Sequence, residues 1–180
     1  SSLSIIPRDA PESILINPFF SIALKCCSAA FGDLKPSRLD ISALVGGKPN
    51  SVMLDLIKWK GVESINETIL DFGCGTGNLF SHLQNNPEFS GFIYTGLDAS
   101  EKFIDFCNKK YENTTFIHND ILQPDSNIGS FDWIIANGVF TEKRELSDAQ
   151  MWQYFKKLVS KLFESSRRGI ALNVMSEHVD

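Results

Sequence analysis

Three glycines spaced one residue apart, Gly73, Gly75 and Gly77, follow the apolar run Ile69-Leu70-Asp71-Phe72. Glycine tolerates positive φ and puts no Cβ between backbone and ligand, so a triplet at a strand's end makes a turn that a nucleotide-like ligand can approach closely. A helix opening near Asn78 would point its first backbone amides at the same crevice. Cys74 lies within the turn, where a small side chain suits close packing. A nucleophilic role would need an activating partner, and none is legible. A dinucleotide loop would place its third glycine at Asn78, and Asp71 would repel a pyrophosphate. The acid suits a cationic ligand better, which counts against nicotinamide and flavin cofactors.

Two further acids stand at comparable places. Asp98, in Leu97-Asp98-Ala99-Ser100, closes a second apolar run, where a carboxylate can accept both hydroxyls of a ribose. Its competing role is a helix N-cap ahead of Ser100. Asp120, in Asn119-Asp120-Ile121, closes a third, and its structural alternative is an Asx turn leading to Pro124. His118 beside it is expected to be a packed or hydrogen-bonded residue rather than a base. Asn137, in Ala136-Asn137-Gly138, either meets a substrate or braces the turn at Gly138.

The elements that must carry these groups alternate along the chain. Strands are expected at 67–72, 92–98, 114–118, 131–136 and 169–174, each apolar or rich in β-branched and aromatic residues. Helices are expected at 78–85 and 100–111, the latter burying Phe103, Ile104 and Cys107. Ser147-Asp148-Ala149-Gln150 has the form of a capping box, and Met151, Phe155, Leu158 and Leu162 then mark one face of a long helix. Strands alternating with helices imply a doubly wound α/β fold with a mostly parallel sheet. Ahead of it, residues 1–60 read as a helical N-terminal cap, with helices expected over 18–31 and 51–59. Residues 61–180 form the cofactor-binding domain.

The string Ile69-Leu70-Asp71-Phe72-Gly73-Cys74-Gly75-Thr76-Gly77 resembles the first signature motif of class I S-adenosylmethionine-dependent methyltransferases. That resemblance implies a Rossmann-like methyltransferase fold with S-adenosyl-L-methionine as cofactor. Gly73, Cys74, Gly75 and Gly77 would lie against its amino-acid and ribose portions, and Asp71 would help orient the methionine end. Asp98, with Ala99 and Ser100, would bind the ribose. Asp120, with Asn119 and Ile121, would meet the adenine, and Asn137 would stand near the transferred methyl. No catalytic residue is assigned. The family usually carries seven strands, the last two after the fifth, so these C-terminal strands are expected to be missing or truncated here. The exit of the fourth strand lacks the Asn/Asp-Pro-Pro-aromatic pattern of enzymes that methylate DNA bases or glutamine.

Bulk properties narrow the partners. The 180 residues suffice for one domain, and a net charge of −5 makes nucleic acid a poor partner. The basic cluster of Lys156, Lys157, Lys161, Arg167 and Arg168 reads as a solvated helix face and its end. The four cysteines include no Cys-x-x-Cys pair, so neither a metal site nor a secreted disulfide framework is expected. No run is long enough for a membrane span and no signal peptide is visible, so a reduced, cytoplasmic setting is expected. Gly46-Gly47-Lys48-Pro49 lacks phosphate-loop spacing; Lys48 or Trp59 would line the site's entrance. The expected function is transfer of a methyl group to an oxygen, nitrogen or carbon of a small or medium-sized metabolite. The alternatives are a non-catalytic cofactor-binding or scaffold module and, behind it, an NAD(P)-dependent oxidoreductase.

Overall fold

The computed structural model describes residues 19–25, 42–44, 53, 54, 57, 66–140 and 146–175. Seven strands form one sheet: β1 (Phe19–Lys25), β2 (Ser42–Leu44), β3 (Thr68–Phe72), β4 (Ile93–Asp98), β5 (Thr115–His118), β6 (Phe131–Phe140) and β7 (Ser166–Met175). The helices are α1 (Asn78–Gln84), α2 (Glu101–Lys110) and α3 (Asp148–Glu164). Strand order is β2-β1-β7-β6-β3-β4-β5. Strands β3 to β7 run parallel, and β1 is antiparallel to both β7 and β2.

From β3 the chain steps outward to β4 and β5, then returns to lay β6 on the other side of β3. The order reverses there, and in a doubly wound sheet this reversal marks the ligand crevice, beyond the carboxyl ends of β3 and β6. Alternation along each strand sends side chains to two separate cores. Leu70, Ile134, Ile170 and Leu172 pack with Met151, Leu158 and Leu162 of α3. Ile69, Trp133, Ile135 and Ala171 face the other way, toward Leu79 and Leu83 of α1 and Ile104 and Cys107 of α2. The sheet is thus covered on both faces, as the doubly wound reading requires.

The capping box at α3 forms as expected. Ser147 accepts from the Gln150 backbone amide at 3.3 Å, and the Gln150 side chain accepts from the Ser147 amide at 2.9 Å. Two expectations are corrected. Phe103 is 43% exposed rather than buried, because the inward stripe of α2 runs Ile104, Cys107, Tyr111 and leaves Phe103 and Phe106 outside it. Residues 19–25 are strand, not helix. An apolar run this short fits either period, and the seven-residue antiparallel register with β7 decides it. Among the described residues no strand follows β7, and its outer edge is occupied by β1 and β2 from the N-terminal side.

Met53, Leu54 and Ile57 are helical and buried in the α1/α2 core. The rest of the expected 51–59 helix, the Gly46–Pro49 loop, Lys48 and Trp59 lie outside the described residues. Among those described, no helix is long and apolar enough to cross a membrane.

Candidate functional site

All three glycines of the turn have positive φ: 73° at Gly73, 52° at Gly75 and 76° at Gly77. Their surroundings differ. A Cβ on Gly73 would lie 2.6 Å from Val139 Cγ2, and one on Gly77 2.5 Å from the Tyr111 ring. A Cβ on Gly75 would meet nothing within 4 Å. Gly73 and Gly77 are therefore fixed by packing against β6 and α2, whereas Gly75 borders open space. The Gly73 and Cys74 amides both donate to the Leu97 carbonyl, at 2.8 and 3.0 Å, which ties the turn to the end of β4.

Asp98 makes the next tie. Its carboxylate accepts from the Gly75 amide at 2.9 Å through one oxygen and from the Ser100 amide at 2.8 Å through the other. Ser100, not Asp98, is the N-cap of α2; Asp98 holds the chain leading into that helix and clamps the middle of the glycine turn. Each carboxylate oxygen has a second lone pair, so these bonds leave acceptor capacity for a ligand. Ala99 is exposed, and its carbonyl lies 3.1 Å from His118 Nε2. His118 is hydrogen-bonded, as expected.

Asp71 lies below the turn on the α1/α2 face and is buried. The Tyr94 hydroxyl donates to it at 2.7 Å. Burial pushes its pKa up to about 7, the Tyr94 bond opposes that rise, and the Asp98 charge adds to it. A cation brought near would favour its ionised form. Cys74 and Cys107 are buried free thiols, both with raised pKa values, chiefly through burial. Such thiols pack rather than react.

Asp120 adopts the Asx turn: one oxygen accepts from the Leu122 amide at 3.0 Å, the other from Gln123 Nε2 at 2.8 Å. Those two bonds hold its carboxyl below the usual carboxylate range. Asn119 accepts from the Ser126 hydroxyl at 2.9 Å, and Lys161 donates to the Ile121 carbonyl at 2.8 Å. This loop is shaped by its own side chains, with Asp120 exposed beside the carboxyl end of β5.

At the exit of β6 the pairing with β7 slips between Ala136 and Phe140. Gly138 sits there at φ 81°. Asn173 of β7 bridges the slip: its carbonyl oxygen accepts from the Gly138 amide at 2.7 Å, and its amide donates to Asn137 Oδ1 at 2.8 Å. Asn137 therefore helps brace the Gly138 turn, and it does so at the edge of the crevice.

Gly73, Gly75, Asp71, Asp98 and the 137–139 segment converge on the reversal point, with the 119–121 loop along its β5 side. Sequence reasoning missed Tyr94, Tyr111, Val139 and Asn173. For Asn173 a signal existed, a carboxamide inside the apolar strand Ile170-Ala171-Leu172-Asn173-Val174, since a polar group there needs partners. Among the described residues, no group of three His, Cys, Asp or Glu is arranged to hold a metal ion.

Comparison with known proteins gives a consistent picture. A family model described as "Methyltransferase domain" matches residues 69–162, more than half of the chain. A putative methyltransferase of Mycobacterium tuberculosis is 26% identical over 118 residues, 63% of this chain and 66% of that protein. An uncharacterized protein of Rickettsia prowazekii is 33% identical over 97 residues, 51% of this chain and 17% of that protein. The chain thus spans less than two thirds of the length of each. Among solved structures, magnesium protoporphyrin IX methyltransferase from Synechocystis PCC 6803, with bound SAH, shares the fold. Its TM-score is 0.50 at 21% identity, over 68% of this chain and 54% of that one.

Proposed function

We propose that this chain, which belongs to the methyltransferase domain family, binds S-adenosylmethionine in the crevice beside Gly75 and transfers its methyl group to a small or medium-sized metabolite. The observation that carries this reading is the contrast among the three glycines. Two are packed against protein, while Gly75 faces open space with its amide held by the Asp98 carboxylate.

The residues present fit such a cofactor. The space beside Gly75 is one that a Cβ would begin to fill, and the flanking acids, Asp71 and Asp98, suit a ligand carrying positive charge. When bound, S-adenosylmethionine supplies a methyl group on a positively charged sulfur. Asp98, with Ala99 and Ser100, would hold the ribose through its remaining acceptor capacity. Asp71 would act on the methionine end by its field from beneath the turn, since Tyr94 and the turn cover it. Asn119, Asp120 and Ile121 would border the adenine. Asn137 would line the path to the acceptor. The chain's main contribution to such a transfer is alignment, which can supply a large share of a barrier reduction.

Titration calorimetry with S-adenosylmethionine, its demethylated product and NAD tests the reading. Binding of either sulfur compound without binding of NAD is expected. Failure of both sulfur compounds to bind well-folded protein would sink it. Binding without turnover across a panel of hydroxyl, amine and carbon-acid acceptors would favour a non-catalytic module instead.

A further inference from the structure

The glycine turn is anchored on two sides. Its leading amides, at Gly73, Cys74 and Gly75, are tied to the end of β4. Its trailing carbonyls are tied to α2. The Cys107 thiol donates to the Gly75 carbonyl at 3.3 Å. The Tyr111 hydroxyl donates to the Gly77 carbonyl at 3.1 Å and lies 3.5 Å from that of Thr76. Cys107 lies in the last turn of α2 and Tyr111 is that helix's C-cap, and both are buried against the turn. The Tyr111 hydroxyl is also 2.6 Å from Ser81 Oγ on α1. With Ser81 donating to the phenol oxygen, the phenol proton is left for the turn.

The ring is held as firmly as its hydroxyl. It stacks on Phe116 with centroids 5.7 Å apart, meets Phe80 edge-on at 5.0 Å, and carries the Lys110 ammonium 4.7 Å above it. Its edge occupies the place a Cβ on residue 77 would need. A side chain this constrained, aimed at backbone carbonyls whose amides line the crevice, sets the shape of the turn.

We propose that Tyr111, with Cys107 one turn before it, is a positioning residue that holds the glycine turn in the conformation able to receive the cofactor. The proposal rests on reading that turn as the cofactor cradle, and it adds a device on the far side of the turn from the ligand. Loss of the phenol hydroxyl should leave the ring packed and the core intact while the turn samples other shapes.

Tyr111→Phe tests it with two readouts. By calorimetry, S-adenosylmethionine should bind about fivefold to tenfold more weakly, the effect of one lost hydrogen bond to the cradle. By hydrogen exchange, the Gly75 and Gly77 amides should exchange several times faster, while those of Ile134 and Leu172 in the central strands keep their rates. Ser81→Ala, which keeps the phenol but loosens it, should shift both readouts the same way and by less. Wild-type affinity in Tyr111→Phe overturns the proposal. So does faster exchange that is equal in the turn and the central strands, because that marks a general loss of stability. If the wild-type protein binds no S-adenosylmethionine, the cofactor reading falls by itself. The exchange rates then decide the positioning role alone, and unchanged rates at Gly75 and Gly77 overturn it.

Discussion

Two corners of the crevice are built from different chemistry. At the β3–β4 corner, backbone amides are gathered by a carboxylate and a carbonyl, with a second carboxylate buried beneath them. At the β6–β7 corner a slipped register is held by the carboxamides of Asn137 and Asn173. The first corner carries negative charge, and among the described residues neither Asp71 nor Asp98 has an ion pair. Among the described residues, the side chains that hold the second are uncharged carboxamides. A charged corner selects a ligand by its charge, whereas a carboxamide corner fixes a shape. That difference is why the donor side can be read as a site for a cation while the acceptor remains open.

The largest expected effect comes from setting Gly75→Ala against Gly138→Ala. Both residues have positive φ and open space at the Cβ, so both substitutions carry similar backbone strain of about 1–2 kcal/mol. Thermal unfolding should record similar losses. S-adenosylmethionine affinity should fall about 100-fold for Gly75→Ala and within about threefold for Gly138→Ala. Equal affinity losses would break the distinction between the corners.

Next come the clamps themselves. Asp98→Ala leaves the Gly75 and Ser100 amides without their acceptor and removes the proposed ribose contact. Cofactor affinity should drop at least about tenfold, measured by calorimetry. Asn173→Ala should cost about 0.5–1.5 kcal/mol in denaturant unfolding, because it removes the bonds to the Gly138 amide and to Asn137. Methyl-transfer rate should fall more than cofactor affinity. The reverse order would reassign Asn173 to the donor side.

A pH test sharpens the charge argument. In the folded, ligand-free protein Asp71 holds its proton up to about pH 7, against an ordinary value of 3.8. Between those values the native state binds more protons than the unfolded one, so this contribution to stability falls as pH rises through that window. Asp71→Asn removes the dependence. Relative to wild type, the variant should gain stability at pH 8 over pH 5 in denaturant melts; a constant difference would deny the carboxyl its raised pKa.

The smallest effect lies at the opposite ends of the strands. There Asp132 accepts from the Thr68 amide at 2.8 Å and from Arg167 at 2.9 Å, joining β3, β6 and β7. Arg167 is 49% exposed, so Arg167→Ala should cost no more than about 1 kcal/mol and should lessen in high salt.

The charged corner was legible because its signals are local. Gly73, Gly75, Gly77 and Asp71 sit in one short string, and Asp98 marks a strand's end. The alternating strands and the α3 capping box were legible for the same reason. The braces were not. Tyr111 reaches the turn across 34 positions and Asn173 reaches Gly138 across 35, and even where a local signal exists, as at Asn173, it does not say which partner is reached. The strand at 19–25 was misread because its period is ambiguous until β7 offers an edge. Asp120 was read toward the adenine, and the geometry adds that both its oxygens already serve an Asx turn.

The pairing of β1 with β7, from Phe19 opposite Met175 to Lys25 opposite Gly169, has a consequence for how the molecule comes into being. On a ribosome β1 is made before the parallel strands, and its neighbour β7 after the rest of them. Closing so long a loop costs little more than closing one half the length, because the entropy grows only with its logarithm. Stability is therefore hardly affected, but speed is. Such distant pairing slows folding, and until it forms the edge of β7 remains open to the strands of other chains. An uncovered β7 edge can pair with strands of other chains, and β1 is the element that closes it.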